Sequence, residues 1–326
     1  MNHRRTATWV ALAILGLALL WFRHDLYAAV RLLREQLTLA TALAIAAVTL
    51  LHFANEPLRW WIFLNGRAPR ATLTRTYHAL TVTALASYVF PARLGLPVRL
   101  LMAKRVLGLD YPRASALLLV DSALSYGLWS LVALLGVAVL LPSFRLATPL
   151  AVALAIAALL LVVLLVARRR WGVSGRHPLG VVLKTGLEFL SMKTGSANIV
   201  VFLIDILAYS VRHELILLAL GVRASLFDLT LVVAMSVVAG FVSFMPLGLG
   251  TYDASLVFLL AMIGVPREAA LAVPLINRIA TMLIGGTLGA LSAAHLGIRS
   301  RAELATPGDE AMAAAWSNRG MEIEEP

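Results

Sequence analysis

Residues Ser243 to Asp253 read SFMPLGLGTYD and interrupt an apolar run that would otherwise cross a bilayer. Pro246 removes a backbone donor and disfavours helix before it, and Gly248 and Gly250 let the chain turn without a Cβ penalty. The apolar flanks, Leu229 to Phe244 and Ala254 to Ile263, each fall short of the roughly 20 residues a spanning helix needs. Backbone left irregular at membrane depth is tolerated only where protein or a wet cavity covers it. The stretch therefore predicts a re-entrant helical hairpin lining a site.

A similar break lies about 155 positions earlier, in ASYVFPARLGLPVRLL, Ala86 to Leu101. Pro91 answers Pro246, Gly95 answers Gly250, and Pro112 answers Pro266. Corresponding broken segments in two halves point to a transporter-type binding site. Coincidence competes with duplication, since Gly and Pro are common in membrane helices.

The chain of 326 residues is 60% hydrophobic and 14% charged, with mean hydropathy +0.87, which places it outside soluble norms. The expected fold is an all-α polytopic membrane protein. Its formal net charge of +11 resides largely in Arg residues of short loops between apolar runs, where arginine orients helices against anionic lipid. That arrangement favours an anionic bilayer surface as partner over nucleic acid. With no cysteine, disulfides, thiolate nucleophiles and zinc-thiolate sites are excluded.

Taken in order, Thr6 to Phe22 reads as an uncleaved first span, because charged residues follow it directly. Leu37 to Ala54 returns, and the next loop is assigned Arg59, Arg67, Arg70 and Arg75. The segment after Pro91 carries Arg93, Arg99, Lys104 and Arg105, too many charges to have crossed. Ala114 to Leu141, Thr148 to Ala167, Asn198 to Leu220 and Ala269 to Leu296 complete six full spans. Two hairpins enter from opposite faces, and an amphipathic interfacial helix covers about residues 179–193. Residues 1–298 form one integral membrane domain with repeat halves at about 76–141 and 229–296. Three crossings separate the hairpins, so the halves are expected to be inverted. Residues 299–326 read as a disordered acidic tail. The positive-inside rule places both termini in the cytoplasm.

Asp121, Asp205, Arg212 and Arg278 lie inside apolar spans, each costing roughly 2.5 to 3.5 kcal/mol if isolated at a helix centre. They are expected to face one another or a wet cavity, either as a structural ion-pair network or as a polar path for a head group. Asp205, Tyr209 and Arg212 share one helical stripe. Asp121 and Arg278 come to similar depth from opposite ends at 1.5 Å rise per residue and are expected to pair, with Asp205 as a rival partner for Arg278. Arg93 and Arg99 flank Gly95, where two guanidinium forks fit a phosphate, although ordinary positive-inside arginine reads the same way. Asp253 is expected to cap a helix start, and Asn277 stands beside Arg278.

Enzyme signatures fail. No strand precedes the Gly248 glycines, and no phosphate-binding GxxxxGK[ST], HExxH, HxxxxD or DxD pattern occurs. No catalytic residue, metal site or cofactor is expected.

The two hairpins together resemble the lysylphosphatidylglycerol synthase transmembrane family, also called the flippase-like integral membrane family. The first half matches its pattern at Pro91, Arg93, Gly95 and Arg99, and the second at Pro246, Gly248, Gly250, Gly264-Val265-Pro266 and Arg278. Leu96 stands where an acid is usual, Leu247 replaces a glycine, Asp253 replaces Glu and Asn277 replaces Tyr. The resemblance implies a lipid flippase without the fused synthase. Its cargo would be a lipid with an anionic or zwitterionic head group: an aminoacyl-phospholipid, a glycolipid or a polyprenyl-phosphate carrier. The alternatives are a membrane-embedded transferase acting on a lipid acceptor and a non-transporting partner of a glycosyltransferase. A second copy of the chain or a separate lipid-modifying enzyme would be the protein partner.

Overall fold

A computed structural model describes residues 31, 34–68, 70–89, 95–141, 178–189, 192–242 and 250–298. Among them all regular secondary structure is helical, as the composition predicts. The helices are α1 (Leu39–Leu64), α2 (Leu73–Val89), α3 (Gly95–Arg105), α4 (Tyr111–Leu140), α5 (Pro178–Phe189), α6 (Met192–Ala219), α7 (Leu226–Val242), α8 (Thr251–Met262) and α9 (Arg267–His295). Expectations for Thr6 to Phe22, Thr148 to Ala167, Pro91, Arg93, Pro246, Gly248 and 299–326 lie outside the described residues.

Three helices, α1, α4 and α9, are long and apolar enough to span a membrane. The expected span from Asn198 to Leu220 falls in α6, which is 28 residues long and carries Lys193, Asp205, Arg212 and Glu214. The chain is thus a multi-pass helical membrane protein. One span differs from expectation. Instead of ending near Ala54, α1 runs on to Leu64, so Arg59 is helical and buried rather than in a loop. Glu56, Pro57 and Arg59 look like a boundary in sequence, but Pro57 is accommodated inside the helix, as membrane helices allow where neighbours re-satisfy the backbone.

Local sequence fixes several ends. Thr38 Oγ1 accepts the Thr41 N–H at the start of α1, and Asp110 Oδ1 accepts the Arg113 N–H at the start of α4, with Pro112 in that first turn. Pro266 caps α9. The helix expected over about 179–193 falls on α5, which ends at Phe189, so that Lys193 belongs to α6; α5 packs along α4, and its Phe189 is buried against Phe63.

A pattern of lengths recurs. Helices α2, α3 and α4 have 17, 11 and 30 residues, and α7, α8 and α9 have 17, 12 and 29. Packing is reciprocal, since α2 lies on α9 and α7 lies on α4. Each contact has a glycine at its closest point. A Cβ at Gly136 would meet Met235 Sδ at 2.8 Å, and one at Gly289 would meet Thr81 O at 2.7 Å and Leu85 Cβ at 2.5 Å.

Two apolar cores result. One gathers Trp60, Phe63, Leu101, Met102, Leu107 and Leu117 around α2, α3 and the start of α4. The other gathers Ile216, Leu229, Val233, Leu256, Leu260 and Val273 around α7, α8 and the start of α9. Arg59, Asp121 and Asp205 lie between them, Asp121 bonded to Trp60 of the first core and Arg59 stacked on Phe202 of the second.

The glycine contacts generate a ranked prediction. Gly289→Ala pushes against backbone, which cannot yield, and is expected to cost about 1–3 kcal/mol. Gly136→Ala meets side chains alone, the flexible Met235 first and Leu231 Cβ at 3.2 Å, and is expected to cost less than Gly289→Ala, about 1 kcal/mol. Thermal unfolding of the two variants in detergent gives the order.

Candidate functional site

Charges buried between the cores are arranged on three helices. Arg59 of α1 donates from Nε to Asp121 Oδ1 of α4 at 3.0 Å and lies 3.5 Å from Asp205 Oδ2 of α6. Asp121 also accepts from Trp60 Nε1 at 3.2 Å. Asp205 also accepts from Asn55 Nδ2 at 3.1 Å and from His52 at 2.8 Å, where an acceptor-only carboxylate requires the His52 Nδ1–H tautomer. The Arg59 guanidinium stacks on Phe202, 5.0 Å from the ring centre. Both carboxylates are therefore compensated, which answers the penalty that isolated ions would carry.

Sequence reasoning missed Arg59, His52, Asn55 and Glu56 as site residues. A readable signal existed: His52, Asn55, Glu56 and Arg59 recur at three- and four-residue spacing, which places them on one face of a helix.

Arg99 of α3 reaches this network from below. Its Nη2 lies 2.5 Å from Glu56 Oε1, and its guanidinium lies 5.7 Å from the Trp60 ring centre. One edge of the fork expected to hold phosphate is thus committed to a carboxylate. Gly95 opens α3 against α2, and a Cβ there would fall on Ser87 Oγ.

A cleft of about 210 Å³ opens beside these groups, lined by His52, Glu56, Arg59 and Asp205 on its polar side. Phe53, Trp129, Phe202 and Phe241 line the rest, with Ser125. Counting Glu56, Asp121 and Asp205 against Arg59 and Arg99 leaves one negative charge in excess when His52 is neutral. A larger hollow of about 510 Å³ between the end of α1 and the start of α2 is lined by Trp61, Asn65, Thr72 and small or apolar neighbours. Lacking a charged lining residue, it offers no comparable chemistry.

The expected pairing of Asp121 with Arg278 does not form, nor does that of Asp205 with Arg278. Arg278 instead makes a two-pronged bond to Asp253 at the start of α8, from Nε to Oδ1 at 3.1 Å and from Nη2 to Oδ2 at 2.6 Å. Depth alone suggested Asp121, but Arg59 lies on it first, and Asp253 sits beside the twelfth position of α9. Asp253 also caps α8 as expected, accepting the Gly250 N–H at 3.2 Å. Gly250 has φ 89°, where a side chain is strained, while no described atom lies within 4 Å of a Cβ built there. Its glycine therefore serves the backbone turn. Asn277 is buried with its Oδ1 unpartnered.

Tyr209 and Arg212 share the α6 stripe with Asp205, as predicted, yet they belong to the second core. Tyr209 donates to Tyr252 Oη at 3.2 Å, and Arg212 lies over the Tyr209 ring, 4.4 Å from its centre.

Two couplings follow. Arg59→Met leaves two facing buried carboxylates and is expected to destabilise the fold by about 3–5 kcal/mol. In double-mutant cycles on thermal stability, Arg59 with Asp121 is expected to couple by about 0.5–3 kcal/mol, and Asp121 with Arg278 by nothing measurable.

Comparison with curated proteins finds no match. A family model described as the lysylphosphatidylglycerol synthase TM region matches residues 8–289, nearly the whole helical domain. The chain belongs to the lysylphosphatidylglycerol synthase transmembrane-region family.

Proposed function

We propose that the protein is a lipid translocase, moving a lipid whose head group carries an amine, such as an aminoacylated phospholipid, across the inner membrane. The observation that carries this reading is the cleft: half-buried, one negative charge in excess, and walled by four aromatic rings. Carboxylates and aromatic faces both attract an ammonium group. A purely anionic carrier, such as a polyprenyl phosphate, would meet repulsion from Asp205 and Glu56. Membership of a family centred on lipid handling supports the same class of activity.

The recurrence of helix lengths and the reciprocal packing support an inverted repeat of two re-entrant hairpins, each followed by a span. Equivalent starts are separated by similar intervals: Leu73 to Leu226 is 153 positions, and Tyr111 to Arg267 is 156. Gly136 and Gly289, at the two reciprocal contacts, are also 153 apart. Halves related in this way can rock about a central site and expose it to each face in turn.

Orientation follows from the loops. Arg67, Arg70, Arg75, Lys104, Arg105 and Arg113 gather at one end of the bundle with Asp110, whereas Arg31, Arg34, Arg223 and Arg267 sit at the other with Glu35, Asp228 and Glu268. The positive-inside rule puts the first end in the cytoplasm. Because the chain has no cysteine, single cysteines report accessibility directly. Arg223→Cys is expected to react with an impermeant maleimide in intact cells, and Arg75→Cys only after lysis.

Function is tested in vesicles containing the purified protein and labelled lipids. Leaflet exchange of an aminoacylated phospholipid without chemical change is expected. Glu56→Gln is expected to slow it by at least about tenfold, the ratio for losing one charge-assisted bond to the ammonium group. A new lipid product would identify a transferase, and exchange no faster than in empty vesicles would reject translocation.

A further inference from the structure

Arg212 is a fully buried guanidinium, and none of its three nitrogens has a hydrogen-bond partner among the described residues. The guanidinium lies over the face of Tyr209, 4.4 Å from the ring centre. Five N–H donors sealed from water without acceptors are unfavourable, so the observed state is incomplete with respect to charge. The nearby carboxylates are committed elsewhere. Asp253 is held on both oxygens by Arg278, and Asp205, about 10 Å down the α6 axis at 1.5 Å per residue, is held by His52, Asn55 and Arg59.

The groups around Arg212 are neutral and ordered. His213 donates from Nδ1 to the Tyr209 carbonyl at 2.7 Å, which leaves Nε2 as an acceptor. Tyr252 Oη, 3.0 Å from that nitrogen, donates to it and accepts from Tyr209 Oη. Tyr252 lies in the first turn of α8, so this chain ties the helix start of the second hairpin to α6 directly beside the orphaned cation. The phenol of Tyr209 can turn from Tyr252 toward an acceptor without breaking any helix.

We propose that Arg212 is an anion site: it takes a phosphate-class oxyanion, with the Tyr209 hydroxyl as a second donor, when α8 shifts away from α6 and releases the Tyr252–Tyr209 contact. A guanidinium fork with an adjacent phenol matches the planar pairs of oxygens that phosphate presents. The site is separate from the acidic cleft and needs no translocation to be occupied. Two sources supply the chemistry, inorganic phosphate and the phosphodiester of a lipid.

The test uses full-length protein in phosphate-free maltoside detergent and neutral buffer, with melting temperature read against added inorganic phosphate, a short-chain phosphatidylglycerol, and chloride as control. Wild type is expected to be stabilised by the phosphodiester, by phosphate, or by both, beyond the chloride effect. Stabilisation by the lipid alone identifies lateral entry from the bilayer, and stabilisation by phosphate identifies an aqueous route. Arg212→Met is expected to weaken the apparent affinity by at least about tenfold, as loss of a charge-assisted bond predicts, and to melt no lower than wild type without ligand, because the orphaned charge is gone. Asp205→Asn, in the other site, is expected to keep the shift even where lipid exchange fails. Equal responses in wild type and Arg212→Met, or no response in wild type, would overturn the proposal. So would a ligand-free melting temperature that falls in Arg212→Met and is restored by Arg212→Lys, since that marks a cation already satisfied within the fold.

Discussion

Arg59 between Asp121 and Asp205 is the contact on which the rest of the bundle depends. It joins α1, α4 and α6 through groups that would each be costly alone in hydrocarbon. Hydrophobic burial supplies little preference among helix arrangements in a membrane, because lipid tails are as apolar as leucine. Specificity must come from close packing and from polar contacts. A single guanidinium meeting two carboxylates fixes which faces of three helices turn inward, and Trp60 and Asn55 complete the acceptors' valences. The two apolar cores then form on either side of this layer.

Close packing supplies the second constraint. The reciprocal contacts of α2 with α9 and of α7 with α4 are each made through glycine, which lets backbones approach. They differ in what faces the glycine. At Gly289 it is the backbone of Thr81, and beside it Ser292 joins Thr81 and His78 in a small hydrogen-bonded cluster. At Gly136 it is a methionine, soft and able to shift. Symmetry of topology thus coexists with asymmetry of stiffness, and the α7 contact is the more deformable of the two.

Much of this was legible in the chain. The proline and glycine breaks marked the two short-helix segments, and Asp121, Asp205, Arg212 and Arg278 stood out because charge is rare in apolar runs. What could not be read was who pairs with whom. Arg59 and Asp121 are 62 positions apart and Arg59 and Asp205 146, so no local periodicity relates them. Arg59 itself was misplaced because Glu56 and Pro57 precede it, and a proline next to charges looks like the end of a membrane helix. The Asp253–Arg278 pair was hidden differently. Depth estimates counted residues from helix ends along single axes, whereas the partner arrived on a short helix that begins part-way into the bundle.

The distribution of charge along α6 has a further physical consequence. Its Asp205 lies in an acidic, partly open cleft, and its Arg212, seven residues on, lies sealed in an apolar core. A rigid helix cannot move one without the other. Any tilt of α6 that opens the region of Arg212 also strains the bonds from Asp205 to His52, Asn55 and Arg59, and any shift that strengthens those bonds keeps Arg212 enclosed. The two environments are mechanically linked by ordinary helix stiffness, without a relay of intermediate contacts. Tyr209 lies between them, its ring edge-on to His52 on one side and under the Arg212 guanidinium on the other. That ring is carried on the same rigid helix, so a tilt that moves either charge also shifts the ring against His52 and carries it along with Arg212.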